Sequence, residues 1–445
     1  MPGLQRLIDG RRTRRDVHGV LRGLAPSLPA GATLRLRRVT WKPGRNARAS
    51  FDLATAGSVV PVHLRWFLDR PEPPRSDVAT APRPRPVRAD VAPTHAAAAL
   101  FRSGDAAVAG GRLLVWPADP DRRRVAELVG RRMAPLVRVV GRSASPQVRV
   151  VRYRPGQRHV LHVTGAASSV FVKIGRPADV PVALMRANVV RAALAPHSVH
   201  AAAPVWASTE WGAVAFGALV GHSLAELVGN RRAGAAEALQ ATGAVLAALH
   251  RATPVGISGL GRIDATVEAA AVRRAGEHLS LLAPDTVGPL CALLDHAVAL
   301  LEHDATADVT LVHGDAKCDH VLVHRGGLSL IDFDSVAMGD PAFDVGRLLA
   351  DLVWLVAPVW RPAARAAFML GYDRRDRRFL RRAAAWEALA IVKQAVRRIP
   401  VLDPRIGPRF AGQLLEARQV LAPPDRSTGP LSARRQGADR RSAGS

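Results

Sequence analysis

One block, residues 309–344, constrains this chain more than any other: VTLVHGDAKCDHVLVHRGGLSLIDFDSVAMGDPAFD. It reads as three short apolar strands separated by polar turns. Residues 309–312 form the first, which His313-Gly314-Asp315 leaves into a loop. Residues 321–324 form the second, Arg325-Gly326-Gly327 turns the chain, and 328–331 return as the third. With the turn centred on Gly326, the numbers of paired residues sum to 652, so His320 faces Asp332 across the open end of the hairpin. Opposed Cα atoms on paired strands lie about 5 Å apart. Two potential metal ligands are therefore expected side by side, with Asp315 at the head of the adjoining loop.

Phosphoryl transfer asks for such a set. One carboxylate accepts the proton of an attacking hydroxyl, other groups hold a divalent metal on the nucleotide, and a lysine neutralises the non-transferred phosphates. The block resembles the aminoglycoside phosphotransferase/choline kinase family. That family's pattern runs His-Gly-Asp, an Asn five residues after the Asp, a strand ending Ile-Asp, and Gly-Asp-Pro-x-x-Asp. Here these are His313-Gly314-Asp315, Ile331-Asp332 and Gly339-Asp340-Pro341-Ala342-Phe343-Asp344.

The resemblance covers residues 145–420 and implies roles for particular side chains. Asp315 is the catalytic base and Asp332 the main metal ligand, while His313, Asp340 and Asp344 support the loop and the following helix. Lys173 is the small lobe's lysine and contacts the nucleotide. Lys317, two residues after the base, stands where protein kinases place a lysine near the transferred phosphate. The fold implied is α+β: a two-lobed, protein-kinase-like fold with a small β-rich N-lobe and a large helical C-lobe, here preceded by an extra N-terminal region. The activity implied is transfer of the γ-phosphoryl group of ATP or GTP to a hydroxyl of an antibiotic, amino alcohol or sugar, with Mg or Mn as cofactor.

Lysine usage supports the assignment independently. Only Lys42, Lys173, Lys317 and Lys393 stand among 63 basic residues. Two of the four fall where this chemistry wants a compact ammonium. Lys173 does so on an otherwise apolar strand.

The chain also departs from the family. His320 occupies the Asn position. A neutral imidazole can ligate a metal but is softer than an amide oxygen, so it favours Mn over Mg, orients Asp332, or marks a weakened site. The helical stretch 180–194 has no acid to pair with Lys173, and Asp179 just before it is the local candidate. Asp334 reads either as a second metal ligand or as a helix cap. Arg158, beside the Pro155-Gly156 turn, reads as a nucleotide contact or as a solvated turn residue. These departures motivate a second reading, a catalytically weakened kinase fold used for binding or as a scaffold.

Around the block the chain divides into 1–140, an accessory region; 141–219, an N-lobe; 220–422, a C-lobe; and 423–445, a basic disordered tail. The accessory region holds a Pro/Arg-rich linker at 69–93. Two segments, 35–53 and 147–164, share a strand–Pro-Gly–strand pattern, which predicts hairpins turning at Pro43-Gly44 and Pro155-Gly156. The net charge of +26 is uneven: residues 1–220 carry 35 basic and 13 acidic side chains. Such an excess suits an anionic partner or a merely solvated basic surface, and charge alone does not choose between them; the few aromatics are not interleaved with the arginines, which argues against nucleic acid. No run approaches the roughly 18 apolar residues of a membrane span. Two cysteines, Cys291 and Cys318, make no disulfide framework. The expected setting is the cytoplasm, and the expected partners are a nucleotide and a small hydroxyl-bearing substrate.

Overall fold

The computed structural model describes residues 10–24, 28, 31–43, 46–55, 58–67, 105–108, 111–116, 123–131, 133–141 and 146–422, apart from 198, 254–255 and 306–307. The linker read at 69–93 and the tail from 423 lie outside the described residues.

The first sheet takes the order β1-β2-β3-β5-β4, from β1 (Thr33–Lys42), β2 (Asn46–Thr55), β3 (Ser58–Phe67), β4 (Asp105–Val108) and β5 (Gly111–Val115). Along β2 every second residue is buried: Ala47, Ala49, Phe51 and Leu53. This is the period-two signature of a strand with one covered face. Val17 and Leu21 of helix α1 (Gly10–Leu24) share the same apolar cluster, and so does Val401 from the far end of the chain. The N-terminal sheet is thus tied to the C-terminal helices through its own core.

The second sheet takes the order β10-β11-β8-β7-β6. Its strands are β6 (Gln147–Arg154), β7 (Arg158–Thr164), β8 (Ser169–Ile174), β10 (Pro204–Ser208) and β11 (Ala213–Gly217), with the two-residue β9 (His200–Ala201) before β10. The β6–β7 turn is closed by the Gln157 amide donating to the Arg154 carbonyl at 3.0 Å, with Gly156 at φ 67°. That is the backbone a Pro-Gly pair supports. Val170, Val172 and Ile174 of β8 pack into a cluster with Trp116, Val125, Leu128 and Met133. Lys173 lies on the opposite face of the strand. Helix α2 (Arg123–Gly130) contributes to that cluster, while α3 (Val180–Leu194) packs into the main core.

The helical lobe follows, with α4 (Leu224–Gly229), α5 (Ala235–Arg251), α6 (Ala265–Ala275), α7 (Val287–His303), α8 (Ala342–Leu355), α9 (Arg361–Tyr372), α10 (Arg377–Arg398) and α11 (Ile406–Leu421). Helix α10 starts at Asp376, whose side chain accepts from the Phe379 amide at 2.8 Å; such a cap satisfies one of the orphan donors of a helix start. Ala385, Ala388, Ile391 and Val392 of α10 are fully buried, so this helix is the axis of the lobe. The chain is α+β, with its strands and helices largely segregated as expected. No helix among the described residues is long and apolar enough to cross a membrane.

Between α7 and α8 lie four short strands. β13 (Thr310–Val312) pairs with β16 (Ala337–Gly339), and β14 (Val321–His324) with β15 (Gly327–Leu330). β14 and β15 are flanked by β12 (His222–Ser223) and β9. The register corrects the expectation from sequence. Val321 faces Leu330 and His324 faces Gly327, so paired numbers sum to 651 rather than 652. Two residues, Arg325 and Gly326, make the turn, because a two-residue connection matches the twist of adjacent strands better than three. His320 is therefore opposite Ile331, whose amide donates to the His320 carbonyl at 3.0 Å, and not opposite Asp332.

Candidate active site

The loop after β13 is held by a fully buried carboxylate. Asp344, in the first turn of α8, accepts from the amides of His313 at 2.6 Å and Gly314 at 2.9 Å. His250 Nε2 donates to the same carboxylate at 3.1 Å, and Tyr372 donates its hydroxyl to His250 Nδ1 at 2.8 Å. Burial pushes the Asp344 carboxyl up. Hydrogen bonds from His250 and the His313 amide outweigh it and leave the group below the usual carboxylate range. Gly314 has φ 75°, and a Cβ there would collide with the Ser335 carbonyl oxygen. Only glycine allows this loop to lie against residues 333–335. Asp340 caps the Ala342 amide at 3.0 Å and accepts from Arg382 Nε at 2.9 Å. His313 Nε2 donates to the Ile331 carbonyl at 3.0 Å, joining the loop to the end of the hairpin.

Asp315 projects from this loop into a cationic setting. Arg347 of α8 donates from Nη2 to Oδ1, and Lys317 Nζ stands 3.5 Å from Oδ2. Burial pushes the Asp315 carboxyl up, but Arg347 and Lys317 outweigh it and hold it below its ordinary value. Arg347 was not among the residues singled out from the sequence. The signal existed: it lies three residues after Asp344, on the same face of the helix.

Asp332 reaches the site by backbone rather than by pairing. It takes φ 65° and ψ 65°, a left-handed conformation uncommon for a residue with a Cβ. This bend swings its carboxylate back toward His320, whose Nε2 is 3.3 Å from Oδ2. The neighbours expected from a strand register are brought together by a local twist instead. Burial raises the Asp332 carboxyl, yet Lys173 and His320 overcome this and hold it well below the usual range.

His320 identifies the atoms that face a cation. Its Nδ1 is 3.0 Å from the Asp315 carbonyl oxygen, so Nδ1 carries the proton. Burial drives the imidazole down to about 3, so the ring is neutral near pH 7. Nε2 then points a lone pair at a carboxylate oxygen, a repulsive contact that a cation between them would relieve. One ligand atom each from Asp315, His320 and Asp332 lie within 4.8 Å of one another. These side chains fit a divalent ion.

Lys173 crosses from the small lobe. Its Nζ donates to Asp332 Oδ1 at 2.6 Å and to Asp334 Oδ1 at 2.8 Å. The partner missing from α3 is thus supplied by the helical lobe, while Asp179 is engaged by Arg176 at 2.9 Å. Asp334 lies outside the Asp315–His320–Asp332 cluster, and its carboxylate is held by Lys173 and Arg158. Arg186 of α3 donates to the Asp334 carbonyl at 2.5 Å. Cys318 is buried, its amide donating to Asp351 Oδ2 at 3.1 Å, and burial raises its thiol well above the ordinary value. A thiol so placed is not reactive.

The family described as "Phosphotransferase enzyme family" matches residues 150–391. No curated protein sequence matches the chain. Among solved structures, an amicoumacin kinase in complex with AMP-PNP, Ca2+ and Ami is 18% identical, with TM-score 0.49, over 66% of this chain and 96% of its own. A choline/ethanolamine kinase family protein from Mesorhizobium loti is 15% identical, with TM-score 0.47, over 67% and 97%. A spectinomycin phosphotransferase in complex with ADP and spectinomycin is 14% identical, with TM-score 0.48, over 65% and 98%.

Proposed function

The chain belongs to the phosphotransferase enzyme family, and from that premise we propose that it is a small-molecule kinase, moving the γ-phosphoryl group of ATP or GTP to a hydroxyl of a small acceptor. The observation that carries this reading is the convergence of Asp315, His320 and Asp332, with Lys173 bonded to the last of them.

Each residue then has a role that its surroundings explain. Lys173 is placed to turn from Asp332 and Asp334 to the phosphates of a nucleotide seated between the lobes, and Arg158 on the neighbouring strand β7 pairs with the same Asp334. Asp332 and His320 would hold a divalent cation, Mg or Mn, which supplies charge neutralisation at the phosphates. Asp315 receives the acceptor's proton. A carboxylate held down by Arg347 is a weak base, which suits a loose transition state in which the hydroxyl proton leaves late. Its contribution is mainly to aim the hydroxyl. Lys317 sits 3.5 Å from the same carboxylate, where it would meet the transferred group. His313, Asp340 and Asp344 hold the loop rigid. A nucleotide donor also points to the cytoplasm as the place of action.

The second reading, a kinase fold that binds without turnover, draws on His320 and on the engagement of Lys173 by two carboxylates. Labelled ATP with Mg or Mn separates the two. Metal-dependent nucleotide binding and turnover lost in Asp315→Asn supports the kinase. Binding without turnover above that variant in either metal leaves the binding module.

A further inference from the structure

Four arginines from three distant parts of the chain lie where the N-terminal sheet and β6 meet the end of α10. The rings of His63 on β3 and Tyr153 on β6 are 4.7 Å apart, and Arg398 of α10 donates to Asp351, which also holds the Cys318 amide of the loop that carries Asp315. Arg38 comes from β1, Arg152 and Arg154 from β6, and Arg397 from the last turn of α10. Arg38 Nη2 donates to the Arg397 carbonyl at 2.7 Å, fastening the N-terminal sheet to the end of α10. Burial of Val401 in that sheet's apolar cluster fixes the same junction. All four residues keep part of their surface open to solvent, and among the described residues none of them forms an ion pair.

Like charges are held close here without a bonded counter-charge. Burial, with Arg152, Arg158, Arg38 and Arg397 around it, lowers the Arg154 guanidinium to about 10. Burial and Arg152 lower Arg38 in the same way. Burial and Arg347 lower Arg397, against the opposing pull of Glu268 and Asp315. Arg397 is thus within electrostatic reach of the candidate base. Guanidinium groups gathered without bonded carboxylates form a surface that an anion would complete, and their planar donor forks suit phosphate.

We propose that this arginine surface receives the acceptor, and that the acceptor is an anion: a hydroxyl compound that already carries a phosphate group. The inference rests on Asp315 being the residue the acceptor hydroxyl faces. Two observations favour acceptor over nucleotide. Arg397 and Arg347 belong to α10 and α8, which back Asp315, whereas Lys173 and Arg158 already serve the Asp332–Asp334 side. Arg38 is delivered by the N-terminal sheet, which gives residues 1–140 a part in substrate choice. A polycationic amino sugar would be repelled from the same surface.

The test loads the full chain with Mg·AMP-PNP and titrates it with inorganic pyrophosphate, then with glucosamine, by calorimetry. Pyrophosphate should bind the loaded chain and glucosamine should not. Arg38→Gln and Arg397→Gln should each weaken pyrophosphate about tenfold, with affinity for Mg·AMP-PNP held within about twofold. Pyrophosphate that fails to bind, or that binds both variants as well as the native chain, overturns the proposal. Equal loss of AMP-PNP affinity in the variants overturns it too, by assigning the arginines to the nucleotide. A native chain that binds no AMP-PNP removes the kinase reading instead, and pyrophosphate titration of the unloaded chain and the same variants still decides whether this surface takes anions.

Discussion

The guanidinium of Arg347 bonds directly to Oδ1 of Asp315, across 32 residues of sequence and from a helix behind the loop. The candidate base is therefore oriented by α8, the helix that also carries Asp344 beneath the loop's backbone. Replacing Arg347 with Met should lower kcat about 10- to 100-fold, the worth of one charge-assisted hydrogen bond. The Asp315 carboxyl would climb back toward the ordinary range, so the acid limb of the kcat profile should move to higher pH. An unmoved limb in Arg347→Met would contradict this role.

Asp315→Asn keeps the size of the side chain and removes the proton acceptor. Its kcat should fall about 10²- to 10⁴-fold, the usual worth of a positioned acid–base group. Nucleotide affinity, read by a fluorescent ATP analogue, should stay close to that of the native chain.

Lys173 joins the lobes through Asp332 and Asp334. Lys173→Met should weaken Mg-nucleotide binding about 10- to 100-fold. It also leaves two carboxylates facing each other, so the melting temperature without ligand should drop. A variant with native nucleotide affinity would exclude Lys173 from the phosphate site.

The clamp at Asp344 has a pH signature. Its carboxyl is held below the usual range in the folded chain, so the unfolded chain takes up the proton first. The stabilisation is complete above the ordinary value of 3.8 and is lost as the pH falls through the folded value. Asp344→Asn should cost about 2–4 kcal/mol near neutral pH, as expected when one member of a buried network is removed. The stability of that variant should also fall less steeply than the native chain's below pH 3.8. Denaturant melts at neutral and acid pH measure both.

His320 offers a neutral nitrogen where the family pattern has an amide. His320→Asn should shift the Mn-to-Mg activity ratio toward Mg by about tenfold, since oxygen donors suit the harder ion. A ratio that does not change would place His320 outside the metal site.

What could be read in the chain itself was short-range. The strand–turn–strand block, the β6–β7 turn with glycine at its left-handed position, the boundaries of α3 and the isolation of Lys173 on β8 follow from periodicity and turn chemistry within a few residues. The candidate triad was legible as a set of residues, although the register argument for it was off by one. Asp332 meets His320 because its own backbone bends, and no pattern of apolar residues encodes that φ.

Charge pairing was decided by the tertiary structure. An acid-free α3 could not say that Lys173 would find Asp332 and Asp334, nor could Asp315 announce Arg347 on the far side of the hairpin. Apolar alternation tells a segment which face to bury. An ion pair depends on where two rigid pieces come to rest, and that is known only once their cores have docked.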